Sequence, residues 1–207
     1  PPGTELEPTV VTVTADNAPS TNINVLVLGY GCIYQGGFLF AVDDTTSNTG
    51  SIGGKVAALT DEEETPGDFN FQWSTVFALT GADSKTNGQT NTDILASFAP
   101  NNYPAAWTCI DKNDQGFADW YFPAICEVGS NAGNAGCSQA PGSLYTSLYG
   151  NGNLGNFANT QNVYWGSTEL STNPIIGAWL QNFANGNQSG AVKSGFVRVR
   201  CVRAFTP

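Results

Sequence analysis

The chain has 207 residues, of which 41% are hydrophobic and only 12% charged, with a formal net charge of −10. That length suits one domain with a sizeable core, and an acidic chain with seven Lys and Arg residues offers no basic track for nucleic acid. The sequence has no apolar run of about eighteen residues that would insert in a membrane, and no histidine to serve a serine or cysteine nucleophile.

Pro1-Pro2-Gly3 and the absence of methionine suggest a segment cut from a longer precursor, with any export signal upstream. Residues 1–22 read as an extended leader, with a strand at Val10–Thr14, ahead of a single globular domain over 23–207. Ile23–Leu28 is the next strand. Tyr30–Val42 follows as two strands, with Gly31, Gly36 and Gly37 allowing a turn or bulge. Lys55–Leu59 is a further strand, and the acidic group Asp61-Glu62-Glu63-Glu64, leading to a Pro66-Gly67 turn, reads as a solvated loop.

Helical signals fill the middle. Thr92, Ile94, Leu95 and Phe98 recur at helical spacing until Pro100 stops them. Tyr103–Ile110 extends this region past Pro104, and Pro123 sits where a first-turn proline opens a helix through Gly129. Gly and Asn dominate Ser130–Asn162, where Leu144, Tyr145, Leu148 and Tyr149 mark one more helical turn. Strands return at Val163–Thr168 and Gly177–Phe183, Asn185-Gly186 begins a turn, and Phe196–Arg203 is the last strand. Terminal strands pairing in a mixed sheet, short helices and long Gly/Asn-rich loops read as an α+β fold.

The final strand holds the most informative charges. Alternation places Val197, Val199 and Cys201 on a core face and Arg198 and Arg200 outward. Lys193, Arg198, Arg200 and Arg203 are four of the seven basic residues, and together they read as a local anion-binding surface. Exposed charges further apart than about 8 Å are largely screened, so the net charge does not forbid such a surface; the plainer alternative is a solubilised, guarded edge strand.

The five cysteines, Cys32, Cys109, Cys126, Cys137 and Cys201, lack paired C-x-x-C spacing and fit disulfides in an oxidising compartment better than zinc. Cys126 and Cys137 flank a Gly-rich loop and form one expected bridge. Cys201, facing inward, pairs with Cys109, with Cys32 as the rival.

Asp119-Trp120-Tyr121-Phe122-Pro123-Ala124-Ile125-Cys126-Glu127, Tyr164-Trp165-Gly166-Ser167-Thr168, Ala178-Trp179 with Asn185-Gly186, and Val199-Arg200-Cys201-Val202-Arg203 occur in this order. This series resembles the C-terminal domain family of the Legionella collagen-like adhesin, and Gly31-Cys32-Ile33-Tyr34-Gln35-Gly36-Gly37 resembles the adhesin group more narrowly. The resemblance spans roughly Tyr30 to Arg203. It implies a C-type-lectin-like or related domain on a collagen-like stalk, exposed at a bacterial surface or secreted, forming a homotrimer and binding sulfated glycosaminoglycans without cofactor or catalysis. Pro1-Pro2-Gly3 would then be a last collagen triplet. Lys193, Arg198, Arg200 and Arg203 are the sulfate ligands this reading nominates, because arginine's planar fork suits sulfate as it suits phosphate.

Trp120, Trp165 and Trp179 read as core residues, whereas Trp107 or Tyr103 is available to stack on a sugar. A trimerisation or scaffold domain that mediates self-association is the alternative function. A glycosidase would need paired carboxyl groups, for which Asp119 with Glu127, or Asp111 with Asp114, are the nominees. Asp43-Asp44, Asp111 and Asp114 are the oxygen ligands for an incidental calcium site. Asn173-Pro174 lacks the flanking acid of a calcium-lectin segment.

Overall fold

The computed structural model describes residues 7–43, 53–129, 135–137, 142–160 and 162–205. Pro1-Pro2-Gly3, Asp44 and residues 130–134 of the Cys126–Cys137 loop lie outside them. Within the described residues strands dominate an α+β arrangement, with three short α-helices and two disulfides.

Two N-terminal strands, β1 (Thr9–Val13) and β2 (Thr21–Val25), pair as an antiparallel hairpin in which Val11 faces Ile23. All ten of their residues are exposed. The strand expected at Val10–Thr14 lies within a residue of β1, and the boundary expected after residue 22 falls inside β2.

A four-stranded antiparallel sheet comprises β3 (Ile33–Tyr34), β4 (Gly37–Asp43), β5 (Gly53–Ala57) and β11 (Val202–Phe205), in the order β11-β5-β4-β3. Gln35 and Gly36 form the two-residue loop between β3 and β4 with φ of 47° and 81°. A tight hairpin of this kind needs positive φ at both central positions, which is where Gly36 is required. The pairing of β4 with β5 shifts register between Leu39 and Ala41, so this region contains both the turn and the bulge.

The second sheet is mixed and has five strands, β6 (Asn70–Gln72), β7 (Val163–Glu169), β8 (Gly177–Asn182), β9 (Gln188–Val192) and β10 (Phe196–Arg198), in the order β6-β10-β7-β8-β9. Strand β10 is antiparallel to β6 and parallel to β7. Strands β6 and β9 carry no strong sequence signal. One is three residues long, and the other, Gln-Ser-Gly-Ala-Val, is poor in β-branched and aromatic side chains.

Helix α1 (Gly88–Ala96) starts at Asn87, whose side chain accepts the Thr90 N–H at 3.0 Å. It ends at Ser97, three residues before Pro100. Its buried face is partly polar: the Asn91 amide donates to the Ser84 carbonyl (2.7 Å) and the Ser167 hydroxyl (3.0 Å), and the Phe122 N–H donates to Thr92 Oγ1 (3.0 Å). Helix α2 (Pro104–Ile110) has proline in its first turn. Helix α3 (Ile125–Val128) is shorter than expected, and Pro123 precedes its cap residue Ala124 instead of opening its first turn. Leu144–Tyr149 forms a π-helical turn capped by Ser143.

Trp120, Trp165 and Trp179 are buried, as their aromatic bulk suggests. One apolar cluster gathers Trp73, Leu95, Phe122, Trp165, Val199 and Cys201; a second gathers Phe40, Tyr121, Phe157, Tyr164, Phe183 and Val202. The chain passes from the first cluster to the second between Cys201 and Val202. Phe196–Arg203, expected as one strand, is therefore two strands in two sheets, with Val199–Cys201 as the crossing. Cys109–Cys201 bridges α2 to that crossing, and Cys126–Cys137 closes the loop after α3. Cys32, the rival partner, is the free cysteine.

Because Cys109–Cys201 spans 92 residues and anchors the crossing, replacing both cysteines by alanine is expected to cost about 2–5 kcal/mol of unfolding free energy in urea denaturation. The same change at Cys126 and Cys137, which close a loop of 11 residues, is expected to cost less.

Candidate functional site

The crossing is held by charge. Asp61 and Glu62, expected in a solvated loop, are buried at 9% and 7% exposure, while Glu63 and Glu64 remain exposed. The loop's main chain pairs with the crossing, Ala58 N–H to the Cys201 carbonyl at 2.9 Å and Glu62 N–H to the Val199 carbonyl at 3.0 Å. This places both carboxylates beneath the arginines.

Arg200 is 1% exposed, although alternation puts it on the outward face. Its Nε donates to Asp61 Oδ1 at 2.8 Å, and its Nη1 donates to the carbonyls of Ala58 (2.8 Å) and Gly155 (3.0 Å). The guanidinium stacks 4.3 Å from the Phe157 ring centroid. Arg198 Nη1 reaches Asp61 Oδ2 at 3.2 Å, and the Tyr164 hydroxyl donates to the same oxygen at 2.9 Å. Burial, and then the negative charge of Asp61, push the Tyr164 hydroxyl well above its ordinary pKa. Glu62 accepts Lys112 Nζ at 3.0 Å and the Cys201 N–H at 3.2 Å, and burial raises its pKa against the pull of Lys112.

The remaining two tail cations go elsewhere. Lys193 is fully buried; its ammonium donates to Glu169 at 2.5 Å and to the Ala78 carbonyl at 2.9 Å, and lies 4.4 Å from the Trp73 ring centroid. Burial lowers its pKa while Glu169 opposes the shift. Arg203, 5% exposed, grips Asp119 through Nε (2.7 Å) and Nη2 (2.9 Å), donates to the Gln35 carbonyl at 3.0 Å, and lies over Phe117 at 3.8 Å.

Of the four nominated sulfate ligands, the structure thus brings together Arg198 and Arg200, on a shared carboxylate, and sends Lys193 and Arg203 to separate partners. The expected outward-facing cationic surface is replaced by inward ion pairs, because loops at 58–62 and 155–157 cover what would be the solvent side of the segment. Including Lys55 with Glu127, six of the seven cations lie within 4 Å of a carboxylate, and Lys85 is exposed.

Of the carboxyl pairs nominated for acid–base work, Asp119 and Glu127 are likewise engaged, whereas Asp111 is exposed. Asp119 is held below its ordinary pKa by the Arg203 hydrogen bonds. Glu127, 5% exposed, accepts from Lys55 (2.5 Å), the Tyr121 hydroxyl (2.8 Å) and the backbone N–H groups of Gly88 (2.9 Å) and Ala124 (2.7 Å), tying α1, α3 and β5 together. Among the described residues no group of three His, Cys, Asp or Glu side chains is placed to hold a metal ion. Asp114 lies 3.5 Å from Lys112, and Asp44, named for the same incidental site, is outside the described residues.

Of the two aromatics proposed to meet a sugar, Tyr103 is 1% exposed and packs edge-on to Trp73. Trp107 is partly exposed and lines a cleft of about 340 Å³ beside α2. Asn101, Thr108, Glu63, Glu64 and Asp111 share that cleft. Its acidic side is not legible in the sequence, because Glu63 and Glu64 lie far from Trp107 along the chain and nothing in the acidic run separates them from the buried Asp61 and Glu62.

Substituting Arg200→Met leaves Asp61 desolvated without its main partner and is expected to cost about 3–5 kcal/mol in guanidinium denaturation, with Arg200→Met plus Asp61→Leu recovering part of the loss. For pH, the lowered Asp119 pKa gives stability that is present above the ordinary value of 3.8 and lost as pH falls through the folded value. Glu62 runs the other way: its raised pKa favours the folded state below 4.5, and that contribution disappears as pH rises through the folded value. Acid titrations of Asp119→Asn and Glu62→Gln, followed by thermal melting, are expected to show a flatter and a steeper acid loss of stability, respectively, than the parent chain. No family model matches the chain, and no curated protein shows significant similarity to it.

Proposed function

We propose that this is a non-catalytic extracellular recognition domain of the adhesin kind, and that its ligand is carbohydrate taken at the Trp107 cleft. The observation that carries this reading is the composition of the cleft: a partly exposed indole beside amide, hydroxyl and carboxylate groups. An indole face accepts the apolar C–H face of a pyranose, and the polar rim accepts and donates hydrogen bonds to its hydroxyls. With Glu63, Glu64 and Asp111 on the rim, the favoured sugars are uncharged or amino sugars.

The resemblance to collagen-like adhesins adds the rest of this proposal: a C-type-lectin-like variant of the α+β fold, a stalk, a homotrimer, and display on a bacterial surface. Three linked copies would raise a weak single-site affinity by avidity. Two disulfides fit an oxidising, non-cytoplasmic setting. Sulfated glycosaminoglycans, the ligand class implied by the resemblance, would require Arg198, Arg200, Arg203 and Lys193 to exchange buried carboxylates for sulfate.

A glycan array followed by titration of tryptophan fluorescence tests the reading. Binding of neutral or amino sugars is expected, weakened about tenfold or more by Trp107→Ala. Salt-sensitive heparin binding that survives Trp107→Ala and is lost with Arg198→Ala would overturn the cleft in favour of sulfate recognition.

A further inference from the structure

Asparagine is thermolabile, and most so before glycine, whose nitrogen is unshielded by a Cβ and whose backbone bends readily toward the asparagine side chain. The chain has three such steps, Asn87-Gly88, Asn151-Gly152 and Asn185-Gly186. In an unfolded chain they are chemically alike, and the fold makes them different.

Deamidation needs two atoms free to meet, the asparagine Cγ and the glycine nitrogen. At Asn87 both are held. Its Oδ1 caps α1 by accepting the Thr90 N–H at 3.0 Å, and the buried Gly88 N–H donates to Glu127 Oε2 at 2.9 Å, so attack requires the first turn of the helix to open. Asn185 stands in the exposed turn between β8 and β9, yet its Oδ1 accepts the Asn187 N–H at 3.0 Å and the Gly186 N–H donates to the Asn182 carbonyl at 2.9 Å. Asn151 and Gly152 are both exposed, and among the described residues neither the Asn151 side chain nor the Gly152 N–H makes a hydrogen bond. Gly152 has φ of 78°, and a Cβ built on it would meet nothing within 4 Å, so the asparagine side chain has room to swing onto the glycine nitrogen.

We propose that Asn151 is a site of spontaneous deamidation, and that the isoaspartate formed there loosens the cover over Arg200. The Gly152 nitrogen bonds to Asn151 Cγ, the Cγ–Nδ2 bond breaks, and ammonia leaves with the proton of the backbone amide. Water then opens the cyclic imide at either carbonyl and yields aspartate or isoaspartate. Isoaspartate routes the main chain through the former side chain and lengthens it by a methylene just ahead of Asn153. That residue clamps Phe157, accepting its N–H at 2.8 Å and donating to its carbonyl at 2.9 Å. The clamped turn supplies the Gly155 carbonyl, 3.0 Å from Arg200 Nη1, and the Phe157 ring on which the guanidinium lies. A slow covalent change at the surface therefore reaches the buried ion pair. This goes beyond the carbohydrate reading and does not depend on it.

The test ages the full chain in mildly alkaline buffer, folded in one sample and unfolded in guanidinium chloride in another. Peptide mapping by mass spectrometry follows the replacement of amide by carboxyl at each site, and an isoaspartyl methyltransferase assay identifies the rearranged product. In the folded chain Asn151 is expected to convert about tenfold or more faster than Asn87 and Asn185, whereas in guanidinium the three convert at similar rates. An Asn151 that stays intact in the folded chain, or converts no faster than the other two, overturns the assignment. Thermal melting of fresh and aged samples tests the consequence: ageing is expected to lower the melting temperature of the parent chain more than that of Asn151→Ser. An equal change in both, once Asn151 has converted to isoaspartate, overturns the link to the Arg200 cover.

Discussion

The contact between Arg200 and Asp61 sets the terms for much of the rest of the molecule. It lies where the last strand leaves one sheet and enters the other, between two apolar clusters that meet at Cys201 and Val202. A guanidinium and a carboxylate taken out of water are tolerable only when nearly every donor and acceptor is used. Here the Asp61 oxygens receive Arg198, Arg200 and Tyr164, and Arg200 also spends a nitrogen on two carbonyls. Those demands fix the loops at 58–62 and around Gly155 against the crossing, and the Cys109–Cys201 disulfide fixes α2 there as well.

The same economy of charge runs through the protein. Its few cations mostly turn inward to carboxylates, at Lys193 with Glu169, Arg203 with Asp119, Lys112 with Glu62 and Lys55 with Glu127. Much of the remaining acidity lies on the surface, including the rim of the Trp107 cleft, while the exposed Phe77 and Ile176 lie in stretches of chain without charge. The result is a partition by electrostatics: ion pairs join sheets and helices, while surface acidity and uncharged apolar side chains occupy different parts of the surface.

Much of the fold is legible from local pattern. The β-branched run at β1, the Gly36 turn, the proline-started α2 and the aromatic β7 and β8 follow from steric rules that act within a few residues. Local rules give less at β6 and β9, whose pairing is imposed by neighbouring strands. They also miss the cap of α3, where Pro123 stays outside the helix and the Glu127 carboxylate accepts the Ala124 N–H at the start of the helix. At the candidate site the residues were identifiable but their direction was not: Trp107 and Tyr103 are both aromatics near the same helix, and only packing against Trp73 decides that Tyr103 is core.

The sequence alone pointed to the α+β class, a Cys126–Cys137 bridge and the concentration of cations in the final segment, since each depends on residue type and spacing along the chain, whereas only packing chose Cys109 over Cys32 as the partner of Cys201. Only the tertiary structure decided that those cations face carboxylates rather than solvent. Strand alternation defines two faces, but whether the second is covered depends on loops about 45 and 140 residues away in sequence, brought there by the sheet crossing.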